Sequence, residues 1–364
     1  MKIIFGGDLF PIKGRNEDLF IAGNAEALWG DALPIIKSAD RFMVNVEFAL
    51  TESEHRIPKC GPNLKAHPDV VNGLVASGVT DAALANNHTF DFGIEGLRDT
   101  MASLDKAGIP YTGVGENDTD SRKIYYIEKD GKKVAIVNVT EHEYSYALPN
   151  RCGCNPFDPY LTMYDIREAK KNADHVVVIY HGGKEFCRYP SPRVVKMTHE
   201  MVYNGADLIL LQHTHCIGCY EEFEGGHIVY GQGNLHFVKY MDLEMWRSGL
   251  LVEADFSGDK VSVKFYPIID NEIGMELAKG EQYEKIMSEF AVRNEEVKNG
   301  KWYDGWKDFC FNSPHNYNYE WAIEVYVNPD GYPNPKEPLK HYIDTETHLD
   351  VMLELFKTFN HTNE

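Results

Sequence analysis

The chain has 364 residues, 43% apolar and 25% charged, which is the balance of an ordinary folded protein and enough length for a layered α/β enzyme in one unit. Its formal net charge of −20, from 36 basic and 56 acidic side chains, argues against a general nucleic-acid or anionic-membrane binder, because phosphate backbones are repelled on average. An anionic substrate is still allowed, since a local metal cluster inverts the field inside one cleft.

Met1–Phe5 is a short apolar run that leads into Gly6-Gly7-Asp8. It is shorter than a signal-peptide core and lacks a small-residue cleavage site. No stretch approaches the roughly 18 apolar residues of a membrane helix, so the expected location is the cytoplasm. Up to about residue 240, short apolar strands alternate with helical segments, the signature of an α/β fold. Lys2–Phe5 and Phe42–Val46 read as strands, the second followed by Glu47. Pro68–Ser77 reads as a helix with Val70, Val71, Leu74 and Val75 on one stripe. Thr80–Leu84 is a strand leading to Asn86-Asn87-His88, and Gly93–Ala107 is a helix. Lys132–Val139 and His175–Tyr180 are strands, and His181 follows the second. Pro192–Asn204 is a helix that stops near Gly205. Leu208–Leu211 and His227–Tyr230 are strands, the first leading to His213 and His215.

The pattern then changes. Leu250 to Phe256 and Val261 to Phe265 alternate about the turn Ser257-Gly258-Asp259, which predicts a hairpin with one buried face. The main unit is therefore expected over residues 1–270, with 271–364 as an appended region. There a charged helix is predicted at Glu281–Lys298. The aromatic, Pro- and Asn-rich stretch from Trp302 to Pro338 shows little periodicity, and its Trp302–Tyr326 part is suited to covering the cleft or a subunit contact. An amphipathic helix closes the chain with Leu349, Met352, Leu353, Leu355 and Phe356 near one face. The seven cysteines are an odd count without a secretion signal, which favours free thiols. Cys216 and Cys219 have the spacing of a redox or zinc pair, but no second pair accompanies them, so small buried residues are the better reading.

One regularity carries chemistry. Asp8, Glu47, Asn87-His88, His181, His213 and His215 all fall at the ends of predicted strands, where ligand sites form in open α/β sheets. Carboxylate, amide oxygen and imidazole together suit zinc, manganese or iron. Singly each has a plainer role: Asp8 as a turn or helix cap, Asn87 as a turn residue. In extended chain the alternate residues His213 and His215 point the same way.

In this order the residues resemble the calcineurin-like metallophosphoesterase pattern, and more closely the capsule-synthesis CapA family of that superfamily. The matching runs are Asn45-Val46-Glu47, Ala85 to Gly93, His181-Gly182-Gly183-Lys184-Glu185, Gly205-Ala206-Asp207 leading to His213-Thr214-His215, and Gly231-Gln232-Gly233-Asn234. The resemblance covers about residues 1–240. It implies a layered α/β/β/α sandwich and two divalent metal ions. Asp8, Glu47 and His215 would hold one ion. Glu47, Asn87, His181 and His213 would hold the other, with Glu47 bridging. His88 would face the substrate and protonate the leaving oxygen, with a pKa suited to neutral pH.

Three departures stand out. Phosphoesterases place a histidine two residues after the first aspartate, where this chain has Phe10. Glu47 stands where they use aspartate, as the capsule family does, and Gln212 where they use glycine. One ion would thus have three protein ligands and bind more weakly, unless His142 or His236 replaces the fourth; each reads better as a surface or substrate-facing histidine. On the substrate side, Lys184, Arg188 and Arg193 cluster near His181 and suit an anionic ligand, with Glu185 as a partner of the metal cluster and Asn234 beside the substrate. Asp91 is placed to orient His88 or to cap the helix at Gly93. Three functions compete: hydrolysis of phosphoesters by a hydroxide held between the metals, cleavage or transfer at γ-glutamyl amides, and a non-catalytic polymer-binding capsule component. Phe10 favours the last, and His88 disfavours it.

Overall fold

The computed structural model describes residues 1–314 and 336–360. Two sheets face each other. The first has eight strands in the order Met275–Leu277, Ser262–Asp270, Ser248–Asp255, Lys2–Leu9, Arg41–Val46, Asp81–Ala83, Tyr111–Thr112, with Asn234–His236 paired to the end of Lys2–Leu9. The second has six: Tyr220–Phe223, Gly226–Val229, Leu208–Gln212, His175–His181, Lys132–Thr140, Tyr125–Lys129. Lys2–Leu9 to Tyr111–Thr112 run parallel in the first sheet, as do the four inner strands of the second; antiparallel strands complete the other side of the first sheet and both edges of the second.

Parallel strands are covered on both faces and therefore read as continuous apolar runs. Val176–Tyr180 and Leu208–Leu211 are such runs, and every residue in them is buried. Three apolar layers result. Between the sheets lie Ile3, Phe5, Met43, Ile136, Val177, Ile179, Leu210 and Val252. Outside the first sheet, Phe20, Leu28, Trp29, Ile36 and Leu74 come from short helices. Outside the second, helices Leu161–Asn172 and Pro192–Tyr203 supply Ile166, Ala169, Val194, Met197 and Met201. The arrangement is the four-layer α/β/β/α sandwich.

Local chemistry sets the helix ends. Ser191 accepts from the Val194 N–H, and Pro192 occupies the first helical position. Gly93–Ala107 ends at Gly108 in the left-handed conformation. The segment predicted as a helix at Pro68–Ser77 is a 3-10 turn, Pro68–Val70, continued by the α-helix Val71–Ala76.

The first sheet continues past residue 270 with Met275–Leu277. Helix Gly280–Lys298 follows. The stretch read as aperiodic from Trp302 is a helix over Trp302–Asn312, with Trp306 and Cys310 buried; the spacing of Trp302, Trp306, Phe309 and Cys310 carries its period. Residues 315–335 of that stretch are outside the described residues. Helices Lys336–Asp344 and Glu346–Asn360 follow. Tyr342 and Val351 pack with Trp306, Cys310 and Cys187, which brings the C-terminal helices to the loop after His181. Among the described residues no helix is long and apolar enough to cross a membrane.

Candidate metal centre

The C-terminal ends of the parallel strands of both sheets deliver their residues to one place. Asp8 lies in the first strand rather than beyond it, paired in register with Asn45 and Asn234. The Asn45 amide donates to Asp8 Oδ1 at 2.8 Å and lies 3.2 Å from His181 Nδ1. Asp8 Oδ2 accepts the His213 backbone N–H at 2.9 Å. Asn86 donates to Asn45 Oδ1, and its own oxygen accepts the backbone N–H groups of His88 and Thr89. That side chain shapes the turn presenting Asn87 and His88.

His181 Nε2 lies 3.0 Å from Asn87 Oδ1 and 3.5 Å from Glu47 Oε1. Asn87 Nδ2 donates to Glu143 Oε2 at 2.9 Å, which turns the amide oxygen toward His181. His215 Nδ1 meets Asn234 Oδ1 at 2.9 Å, leaving Nε2 on the side of Glu47 Oε1, 3.9 Å away. An imidazole fixed through one nitrogen offers the other's lone pair, the usual support for a metal-ligating histidine. Glu47, His213 and His215 each place a ligand atom within 4.8 Å of the others.

Glu47 tests whether a cation belongs here. It is fully buried, and neither carboxylate oxygen has a hydrogen-bond partner among the described residues. Burial and the Asp8 charge push its carboxyl well above the ordinary value. A lone buried carboxylate costs several kcal/mol, and a cation held by Glu47 and Asp8 would offset that cost. Burial pushes His181 and His213 down to about 4, which keeps both imidazoles neutral, the form that binds metal. The donor set fits a divalent transition ion.

The His213-Thr214-His215 run is not extended. His213 (φ 86°) and His215 (φ 52°) both adopt the left-handed region, where a non-glycine residue costs about 1–3 kcal/mol and clusters at functional sites. The two imidazoles converge because the backbone coils. Gln212 supports the strained run from beneath: its amide donates to Gly6 O and to Gln232 Oε1, tying the two sheets together.

His88 stands beside the centre. Its Nδ1 lies 2.6 Å from Asp91 Oδ2, so Asp91 orients the ring. Asp91 does not cap the helix at Gly93, whose N-cap is Phe92 without a side-chain bond. The sequence reading missed Lys59, which pairs with Asp91 at 2.7 Å and lies 3.3 Å from His88 Nδ1. Burial, with the Lys59 ammonium adding, pushes His88 below its ordinary value. His88, Asn87, Lys59, Glu143, Glu185, His341 and Tyr342 line a cleft of about 310 Å³.

Several expected residues lie elsewhere. Arg188 is absent from this cleft and approaches Glu289 at 3.6 Å. Arg193 is held by Glu141 and Asp350. Its guanidinium thus bridges Glu141, just past strand Lys132–Thr140, and Asp350 on helix Glu346–Asn360. With His142 it lines a larger cavity, about 750 Å³, that none of the expected metal ligands borders. His142 itself bonds Glu346. His236 is a core residue between Phe20 and Trp29, bonded to Asn16 and Leu28 O. Neither replaces the missing ligand. Phe10 packs against Phe48, Phe237 and Tyr240, so apolar rings fill the position. Asn234 spends its amide on His215 and Trp246 O, rather than on a substrate. Lys184 is buried, and its charge and that of Glu185 are felt at His341. Cys216 and Cys219 are free and buried, and burial pushes both thiols up, away from redox activity.

The sequence model of the family described as "Bacterial capsule synthesis protein PGA_cap" matches residues 2–239. The chain belongs to this family. Capsule biosynthesis protein CapA of Bacillus anthracis is 33% identical over 213 residues, covering 56% of this chain and 52% of that one. PGA biosynthesis protein CapA of Bacillus subtilis (strain 168) is 30% identical over 217 residues, covering 58% and 57%. The chain thus spans little more than half the length of these curated relatives. Among solved structures, a 5'-nucleotidase precursor from Thermus thermophilus superposes with a TM-score of 0.45 at 13% identity, over 74% of this chain and 54% of that one. The PGA_cap match contains every expected metal ligand and stops short of His341 and the C-terminal helices.

Proposed function

We propose that this chain is a metal-dependent hydrolase of an anionic substrate, with a phosphoester as the first candidate. Glu47 carries the reading: a buried carboxylate with two oxygens unpartnered among the described residues, ringed by the imidazoles of His181, His213 and His215 and the Asp8 carboxylate. Asp8, Glu47 and His215 would hold one divalent ion of the manganese, zinc or iron kind. Glu47, Asn87, His181 and His213 would hold the second, and Phe10 leaves the first with the weaker grip. When bound, such ions lower the pKa of water to near neutrality and neutralise charge on the substrate oxygens.

The chain's own residues do the rest. His88, fixed by Asp91, presents the far edge of its ring to the cleft and holds or moves a proton there. The Lys184 charge is felt at Glu185 and His341, which line the cleft, and it favours an anionic substrate.

Membership in the capsule synthesis family supports a second reading, in which the same residues act at a γ-glutamyl amide of an anionic polymer. Turnover of an aryl phosphodiester and glutamate release from poly-γ-glutamate separate the two when measured on wild type, Glu47→Gln and His88→Ala. Phosphodiester turnover lost in both variants is the expected result. Glutamate release lost in both would move the assignment to the second reading. Bound metal with neither turnover in the wild type overturns both and leaves a polymer-binding component.

A further inference from the structure

The C-terminal helices bring a second group of metal-competent side chains to the rim of the cleft. His341 lies in helix Lys336–Asp344, and His348 in the first turn of helix Glu346–Asn360. Each places a ligand atom within 4.8 Å of the other and of Glu143. His341 Nδ1 is 3.6 Å from Glu143 Oε1. Two ligands of a tetrahedral zinc with bonds near 2.0–2.1 Å sit roughly 3.4 Å apart. This pair therefore has about the spacing such an ion imposes.

We propose that Glu143, His341 and His348 form a further divalent-metal site, zinc being the best-suited ion, that pins the C-terminal helix pair over the cleft. His348 is only 8% exposed, and its Nδ1 has no hydrogen-bond partner among the described residues; the same is true of His341 Nδ1. Buried polar atoms are nearly always bonded, so two orphan imidazole nitrogens around one carboxylate call for a ligand. Burial keeps His348 well below its ordinary value and hence neutral. Two imidazoles and one carboxylate suit zinc and leave a position for water.

The surrounding charge permits a cation. Glu143, Glu185, Glu47 and Asp8 face the same space as Lys59 and Lys184, and Lys59 is paired with Asp91. Glu143 is shared, because its other oxygen, Oε2, lies 3.6 Å from His213 Nε2. Its carboxylate thereby connects the new site to the deeper centre. Both histidines fall outside residues 2–239, so the site is a property of this chain's extension.

Zinc content after equilibrium dialysis tests the proposal on the full chain in three forms: wild type, Glu47→Gln, and the double variant His341→Ala/His348→Ala. The double variant is expected to lose one zinc per chain, and Glu47→Gln to retain that one. Zinc should slow hydrogen exchange in helix Glu346–Asn360 in wild type and in Glu47→Gln, but not in the double variant. A folded double variant that binds as much zinc as wild type overturns the proposal. If the double variant does not fold, zinc-soaked wild-type crystals measured at the zinc absorption edge decide. A peak between Glu143, His341 and His348 supports the site, and its absence overturns it. The site stands apart from the hydrolase reading: Glu47→Gln leaving zinc content unchanged would undermine that reading and not this one.

Discussion

Asp91 and Lys59 form the most enclosed ion pair near the cleft, with side chains 0% and 2% exposed and 2.7 Å between the charged atoms. At an effective dielectric near 20, charges at that distance attract by about 6 kcal/mol. Removing both ions from water offsets most of this, so the pair's net worth is small while the cost of breaking it is large. Lys59→Met strands a carboxylate that still accepts from His88 and from the Leu64 N–H. Asp91→Asn strands an ammonium that keeps Asn87 O, the His88 edge and the face of the Tyr144 ring. Each single variant should lose about 3–5 kcal/mol, and the double variant less than the sum by about 2–3 kcal/mol. Urea denaturation with chelator present, so that metal binding does not contribute, measures all four forms. Additivity within about 0.5 kcal/mol would refute the pairing. A second readout addresses positioning: nitrogen NMR of His88 should show the Nδ1–H tautomer in wild type and lose that preference in Asp91→Asn.

Three further outcomes are expected. In chelator, Glu47→Gln should match or exceed wild-type stability, because it removes an unpartnered buried carboxylate. Added manganese at about a hundredfold over Kd should stabilise wild type by about 2.7 kcal/mol and the variant by much less; equal gains in thermal shift would refute the Glu47 assignment. Gly7→Ala should cost about 1–3 kcal/mol or more in denaturant titration, since a Cβ there meets Gly233 O at 2.3 Å. Six of the seven cysteines are buried and Cys60 is partly exposed, so a thiol reagent should label at most one rapidly in the native protein and all seven after unfolding.

The layered fold and the neighbourhood of the centre are legible in the chain's own pattern. Parallel strands buried on both faces must be nearly all apolar, so runs such as Val176–Tyr180 and Leu208–Leu211 announce themselves, and the polar residue ending each run is where the sheet opens. That logic located Asp8, Glu47, Asn87, His181, His213 and His215 without any knowledge of how the strands are ordered. The resemblance to the phosphoesterase pattern, and not the strand pattern, singled out Phe10, because an apolar ring two residues from Asp8 has no metal chemistry.

Which charges meet is settled by packing alone. Lys59 sits in an irregular loop with no local period, and nothing in its surroundings along the chain points 32 residues on to Asp91. Glu143 gains its meaning from Asn87 and His213, and from two histidines about 200 residues later. Conversely, Arg188 and Arg193 looked like substrate grips only while their acidic partners, Glu289 on helix Gly280–Lys298 and Asp350 on helix Glu346–Asn360, were out of view. The coiled backbone at His213 and His215 was equally hidden: alternation predicts convergence only in a strand, and here Asp8 and Gln212 hold the run in another conformation. Apolar periodicity is written locally because each element buries its own face. Pairing of charges is not local, since it depends on which loops the packed sheets bring to the same rim.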